Sequence, residues 1–182
     1  MRIIAGKLRS RNFEAPPGSS TRPTGDKARG ALFNILHGVI ENARVLDGFA
    51  GSGALSFEAL SRGAAEAVLF EYDRAAAKLL EDNARSLGVL PQVEIHQADF
   101  LTGVKQLSGS IFDLVFLDPP YASGLLTKAI EGCAGLLAPG GVVVAEHSST
   151  DTLPDTVTGL AKTGTRCYGA SAFSFYKRQE DQ

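Results

Sequence analysis

Four short apolar runs in the middle of this chain each deliver a carboxylate at or just past their carboxyl end, and helical segments separate them. Val45-Leu46-Asp47 comes first. Ala67-Val68-Leu69-Phe70-Glu71 follows, then Val93–His96 with Asp99-Phe100 beyond it, then Phe112–Leu117 with Asp118. Short apolar strands alternating with helices mean parallel βαβ units, and strands apolar on every residue mean burial on both faces. In an open sheet of that kind ligands bind beyond the carboxyl ends of the strands. The pattern therefore predicts a mostly parallel α/β sheet with four acidic groups on one rim.

The intervening segments carry helix punctuation. Ala54–Arg62 reads as a helix closed by Gly63, and Asp73 as the N-cap of a helix through Leu87 with Gly88 after it. Asp26 is expected to cap an earlier helix in which Ala28, Leu32, Ile35, Leu36 and Val39 recur at helical spacing, with Gly38 at its end. Gly30 inside it costs about 1 kcal/mol relative to Ala. Gly124–Leu137 reads as a further helix, Val142–Glu146 as a fifth strand, and Lys162–Tyr168 with Phe173–Lys177 as a closing antiparallel pair around Gly169. Ahead of all this, Arg2–Ala5 and Arg11–Glu14 read as a small β-hairpin. The division expected is a basic hairpin extension over 1–20 and one catalytic domain over 21–182.

Net charge over the 182 residues is −2, but it is unevenly spread. Residues 1–30 hold seven basic and two acidic side chains, or +5, and the remainder sums to −7. A basic head on an acidic body is the footprint of a local polyanion contact. Arg2, Lys7, Arg9 and Arg11 are candidates to grip phosphates, with Arg22 and Arg29 lining the approach to the rim. No apolar run is long enough to cross a bilayer, and the basic N-terminus has no apolar signal core, so a cytoplasmic protein is expected. The two cysteines, Cys133 and Cys167, are far apart and read as reduced thiols in or near the core; the three histidines are scattered, and no metal site is expected.

Asp47 runs into Gly48-Phe49-Ala50-Gly51-Ser52-Gly53. Gly51 and Gly53 let backbone approach a ligand closely, and Glu71, some twenty residues on, is placed for ribose hydroxyls. A dinucleotide fingerprint would want Gly or Ala at position 56, which is Ser56. Crowded carboxylates suit a pyrophosphate badly and suit a sulfonium and an amino-acid ammonium well. The cofactor set so defined is Asp47, Phe49, Ala50, Gly51, Gly53, Glu71, Asp99 and Phe100, with Asp99 on an adenine amino group and Phe100 against the ring.

Asp118-Pro119-Pro120-Tyr121 is the sharpest motif. Two prolines remove two backbone donors and fix φ, which leaves local carbonyls as acceptors. An exocyclic amine giving one hydrogen to Asp118 and one to the Pro119 carbonyl becomes pyramidal, and its lone pair can then face a methyl group. Tyr121 offers a stacking face for a base lifted from its stack. The catalytic set is Asp118, Pro119, Pro120 and Tyr121.

These two motifs resemble the class I amino-methyltransferases. With Arg2-Ile3-Ile4-Ala5-Gly6-Lys7-Leu8-Arg9, Thr21-Arg22-Pro23-Thr24, Ala31-Leu32-Phe33-Asn34-Ile35-Leu36 and Ala172-Phe173-Ser174-Phe175-Tyr176, the chain resembles the RsmD family over nearly its whole length. The resemblance implies a Rossmann-like, seven-stranded sheet with helices on both faces and S-adenosylmethionine as cofactor. It further implies methylation of a guanine N2 amine in 16S ribosomal RNA and a partner in the 30S subunit or its assembly intermediate; no long heptad or swapped arm suggests an oligomer, so a monomer is expected. Two departures from the family pattern are Gly48, where leucine is expected, and Gly30, where glutamate is expected. The competing readings are a DNA adenine-N6 or cytosine-N4 methyltransferase, for which little chain is left to form a target-recognition region, and a non-catalytic RNA-binding protein on a degenerate fold, against which the complete set of rim acids argues.

Overall fold

The structure, a computed structural model, describes residues 1–16, 25–120 and 124–181. Its strands are β1 Arg44–Asp47, β2 Glu66–Glu71, β3 Val93–Gln97, β4 Phe112–Leu117, β5 Leu137–Ser148, β6 Thr156–Val157, β7 Leu160–Tyr168 and β8 Ser171–Arg178. They form one sheet in the order β3-β2-β1-β4-β5-β8-β7-β6. The first five pair parallel; β5-β8, β8-β7 and β7-β6 pair antiparallel. Seven strands were expected; the eighth is the two-residue β6 at the edge. From β1 the chain steps outward to β2 and β3, then returns to the other side of β1 as β4. The rim between β1 and β4 is thus the switch point where such sheets hold ligands.

The helices are α1 Asp26–Ile35, α2 His37–Ile40, α3 Ala54–Ser61, α4 Arg74–Leu87, α5 Phe100–Gly103 and α6 Leu126–Cys133. Strand residues alternate between two cores. Val45, Leu69, Phe116 and Val144 join Phe33, Phe57 and Leu80 on one face. On the other, Leu46, Val68, Val115 and Val143 join Phe100, Ile130 and Tyr176. Burial of both faces is why these runs carry no polar alternation.

Local differences from the sequence expectation have physical reasons. Gly25, not Asp26, occupies the N-cap of α1 and supplies no side-chain cap; the Asp26 carboxylate instead accepts from Arg2 Nε at 2.8 Å and Arg29 Nη2 at 3.0 Å. The helix breaks at Leu36, and Gly38 falls inside α2, which ends at Ile40. The expected helix over 124–137 keeps only Leu126–Cys133. The Leu136 carbonyl accepts from Phe112 N at 2.7 Å, and Leu137 pairs with Phe112 in the sheet, so the end of that segment is claimed by β5. Cys133 is buried, but Cys167 is exposed. Among the described residues no helix is long and apolar enough to cross a membrane.

The N-terminal hairpin contains one antiparallel bridge, Arg2 to Asn12, rather than two strands. Docking holds it more than pairing does. Glu58, fully buried and the one charged residue of α3, accepts from Ile4 N at 2.8 Å, Ala5 N at 3.1 Å and Arg62 Nε at 2.7 Å. Asn83 on α4 clamps Glu14 from both sides, accepting from its N–H at 3.0 Å and donating to its carbonyl at 2.9 Å. Glu58 and Asn83, the buried polar groups of this contact on α3 and α4, are both matched, so the hairpin packs against these helices at low cost.

Candidate active site

The loop from β1 to α3 is built by the acids around it. Gly51 N donates to Glu71 Oε2 at 2.9 Å, and Glu71 Oε1 accepts from Asp73 N at 2.8 Å. Gly48 N and Ala50 N reach the carbonyls of Phe116 and Phe70, so strands β4 and β2 pin the loop from either side. Gly53 has φ of 80°, and a Cβ there would lie 2.4 Å from Phe57 and 2.6 Å from Leu80. Both the turn and the seating of α3 therefore require glycine. A Cβ at Gly48 would meet Leu117 at 2.9 Å and Phe100 at 3.1 Å, which accounts for the absence of the expected leucine. At Gly30 a Cβ would meet only Ile4 at 4.0 Å, so nothing in the packing demands glycine.

Asp47 is 2% exposed. Ser56 Oγ donates to its Oδ2 at 2.8 Å and Phe49 N to its Oδ1 at 3.4 Å. Burial outweighs these bonds and pushes its carboxyl up to about 6. Ser56, which breaks the dinucleotide fingerprint, is thus the buried donor to this acid. Asp99 N-caps α5, accepting from Thr102 N at 2.9 Å and Thr102 Oγ1 at 3.0 Å. Phe100 packs edge-on against Phe70 and tilted against Phe49, with ring centroids 5.5 Å and 5.4 Å apart.

Asp118 follows β4 directly. Burial first, then the negative charges of Glu146 and Asp47, raise its carboxyl well above the ordinary range. Glu146 is 3% exposed on β5, and the register that sets Leu117 beside Ala145 brings it next to Asp118. The sequence reading took it only as the last residue of the fifth strand; its place beside Asp118 follows from the register of β4 and β5. His147, beyond it, is occupied within the sheet: Nδ1 donates to Ser148 O and Nε2 pairs with Ser174 Oγ, both at 2.8 Å.

A cavity of about 500 Å³ opens at this rim. Asp47, Glu71, Asp99 and Asp118 all line it, as do Phe49, Ala50, Gly51, Phe100 and Pro120. Gly53 and Pro119 are buried and lie outside its lining. Tyr121 and Arg22 lie outside the described residues. The cavity also takes Met1, Ala15 and Pro16 from the N-terminal segment, Tyr72 after β2 and Leu125 before α6. The hairpin is therefore a wall of the cavity, which no local sequence signal indicates.

The basic candidates separate. Arg2, Lys7 and Arg9 are exposed. Arg11 is exposed too, but its guanidinium donates to the last carbonyls of α4, Leu87 O at 2.8 Å and Ser86 O at 2.5 Å, a favourable place for a cation that ties the hairpin down. Arg29 is 1% exposed and lines the cavity, so it is closed to phosphates on the outer surface.

A sheet that reverses direction between β1 and β4, ends in an antiparallel strand inserted beside β5, and gathers acids around a glycine turn defines the Rossmann-like class I methyltransferase fold. The family model described as Conserved hypothetical protein 95 matches residues 1–177, and the chain belongs to this family. It is 37% identical to the Ribosomal RNA small subunit methyltransferase D of Escherichia coli over 183 residues, covering 98% of this chain and 90% of that one. Among solved structures, yhhF from Escherichia coli superposes with a TM-score of 0.87 at 38% identity, over 98% of this chain and 97% of that chain. An RNA methyltransferase from Salinibacter ruber, in complex with S-adenosyl-L-homocysteine, shares the fold with a TM-score of 0.63 at 23% identity, over 85% of this chain and 92% of that chain.

Proposed function

We propose that the chain is a ribosomal RNA methyltransferase that moves the methyl group of S-adenosylmethionine to the exocyclic N2 amine of a guanine in 16S ribosomal RNA. The 30S subunit or an assembly intermediate is its substrate, and it works as a monomer in the cytoplasm. One observation carries the reading. Four acids from successive strand ends converge on a single cavity whose chemistry matches a cationic, adenosine-bearing ligand, with the Asp118-Pro119-Pro120 segment at its edge. Membership of the family supports ribosomal RNA as the substrate class.

Bound there, S-adenosylmethionine supplies an electrophilic methyl group on a sulfonium. The chain's own residues do the rest. Glu71, already fixing the glycine turn, faces the ribose, and Phe100 with Asp99 borders the adenine. A nearby cation favours the ionised form of Asp47 and Asp118, reversing the effect of burial. Ionised Asp118 accepts one hydrogen of the target amine, and the Pro119 carbonyl accepts the other. Positive charge develops on the amine nitrogen during transfer, so preorganised acceptors stabilise it without rearrangement. The Asp118 carboxylate, whose affinity for a proton its neighbours raise, then takes the proton. Tyr121 stacks the displaced base. Arg2, Lys7 and Arg9 hold phosphates and position the RNA without reading it.

The test is labelled S-adenosylmethionine with 30S subunits from cells lacking the modification, followed by mass spectrometry of the nucleosides. Label is expected in N2-methylguanosine; label absent from that nucleoside, or found only in duplex DNA, overturns the reading. Joint substitution of Lys7 and Arg9 by Ala should lower RNA affinity and flatten its log–log salt dependence by roughly one to two.

A further inference from the structure

Arg29 is the one lysine or arginine lining the cavity among the described residues, and its position has a cost. Its Nη2 donates to the Arg2 carbonyl at 2.7 Å and to Asp26 Oδ1 at 3.0 Å. Its Nε and Nη1 are buried with no hydrogen-bond partner among the described residues. Leaving buried donors of a charged group unmet is among the expensive things a protein can do. Burial also pulls the guanidinium below its ordinary protonation range, and the Asp26 and Glu58 carboxylates only partly compensate. Asp26 is itself half-exposed, so this is no closed internal ion pair.

The position in the fold says what is missing. One turn along α1, Phe33 packs on Phe116, with ring centroids 5.8 Å apart, and Phe116 lies two residues before Asp118 on β4. Arg29 thus enters the cavity from the side lined by α1 and by the hairpin residues Met1, Ala15 and Pro16. A methionyl group at that end carries three charged centres: a sulfonium, an ammonium and a carboxylate. Asp47 and Asp118 serve the two cations. Among the described residues Arg29 is the one cationic side chain of the lining that could meet the carboxylate.

We infer that Arg29 binds the carboxylate of the methionyl end of S-adenosylmethionine, through the two nitrogens the fold leaves unspent. Its bonds to Arg2 and Asp26 hold the guanidinium in place; its free nitrogens select a ligand with an intact amino-acid carboxylate. This rests on the cofactor reading above and goes beyond it by assigning the one anionic group of that ligand.

Calorimetry with two ligands separates the claims. S-adenosylmethionine and its decarboxylated analogue differ only in that carboxylate. The unaltered protein is expected to prefer S-adenosylmethionine by about tenfold or more, the usual effect of a charge-assisted hydrogen bond in a buried site. Arg29→Met should bind both equally, with affinity for the decarboxylated analogue unchanged within about twofold. Arg29→Lys, which keeps the charge but not the fork, should retain part of the preference. Equal binding of the two ligands by the unaltered protein overturns the inference whether or not any variant folds. So does an Arg29→Met protein that keeps the full preference or loses affinity for both ligands by one factor. Failure of the unaltered protein to bind either ligand would instead remove the cofactor reading beneath it.

Discussion

The two ends of the acidic rim use the same residue types in opposite ways. Toward β2 and β3, Glu71 and Asp99 spend their oxygens on backbone: Glu71 on Gly51 N and Asp73 N, Asp99 on Thr102 N. These acids shape the pocket. Toward β1 and β4, Asp47 is buried despite its donors Ser56 Oγ and Phe49 N, Asp118 lies beside it and beside buried Glu146, and both carboxyls are pushed upward. Carboxylates turned onto backbone N–H groups at the open part of the rim form part of the scaffold. Carboxylates crowded together in a poorly solvating site are held in readiness for a cation. The difference separates an adenosine end that is built in advance from a methyl end that is completed by its ligand.

The sharpest way to break this comparison is a pair of substitutions. Asp118→Asn should lower single-turnover methyl transfer roughly 10²–10³-fold, the usual loss when one preorganised group facing developing charge is removed. Glu71→Gln should weaken cofactor binding and leave the rate at saturating cofactor within a few-fold. Equal losses of that saturated rate would mean the two ends do not differ.

Asp47 provides a second contrast, and its sign can be worked out. Its folded carboxyl titrates at about 6 against 3.8 for the ordinary value. The ligand-free folded state therefore binds the proton more tightly than the unfolded chain. The associated stability is complete below about pH 4 and is lost as pH rises through about 6, a swing of about 3 kcal/mol. Asp47→Asn cannot ionise, so at pH 7.5 the ligand-free variant should melt roughly 6–12 °C higher than the parent. It should also bind S-adenosylmethionine about tenfold more weakly. In the parent, cofactor affinity should fall as pH drops below about 6, by up to tenfold per unit for one proton, and binding near pH 6 should release protons to the buffer. A flat affinity between pH 5 and 8 would contradict the assignment.

Much of this fold was legible because burial writes itself into composition. Val45-Leu46, Phe112–Leu117 and the Asp73-to-Gly88 helix could be bounded from apolar runs and cap residues alone, and β4 and α4 end where those signals say. The rim acids were legible for the same reason, since each interrupts an apolar run or follows it closely. What escaped was set by contacts distant in sequence. Leu136 and Leu137 look helical until Phe112 claims them for the sheet. Glu146 closes an apolar run as the other acids do, but acquires meaning only beside Asp118, across the β4–β5 pairing. Arg29 and Arg11 look like any basic residues of a charged head; only the docking of the hairpin buries one and turns the other onto α4. One local hint existed: Glu58 is the one charged residue of α3, and a buried acid of that kind needs partners from elsewhere in the chain.

The smallest effect is expected at Asp99, and it tests the scaffold half of the comparison most directly. If Asp99 acts chiefly by capping α5, its charge matters less than its acceptor oxygen. Asn caps a helix about as well as Asp, whereas Ala forfeits about 1 kcal/mol. Asp99→Asn should then leave the melting temperature nearly unchanged and lower cofactor affinity only a few-fold. Asp99→Ala should lower both, because Phe100, the first residue of α5, loses its fixed position against Phe70 and Phe49. Neither variant should alter the pH at which cofactor affinity falls, since that dependence belongs to Asp47 and Asp118 at the other end of the rim. A midpoint displaced by Asp99→Asn would show that the charges of the two ends are felt across the cavity, and the rim would then have to be treated as one coupled set of acids.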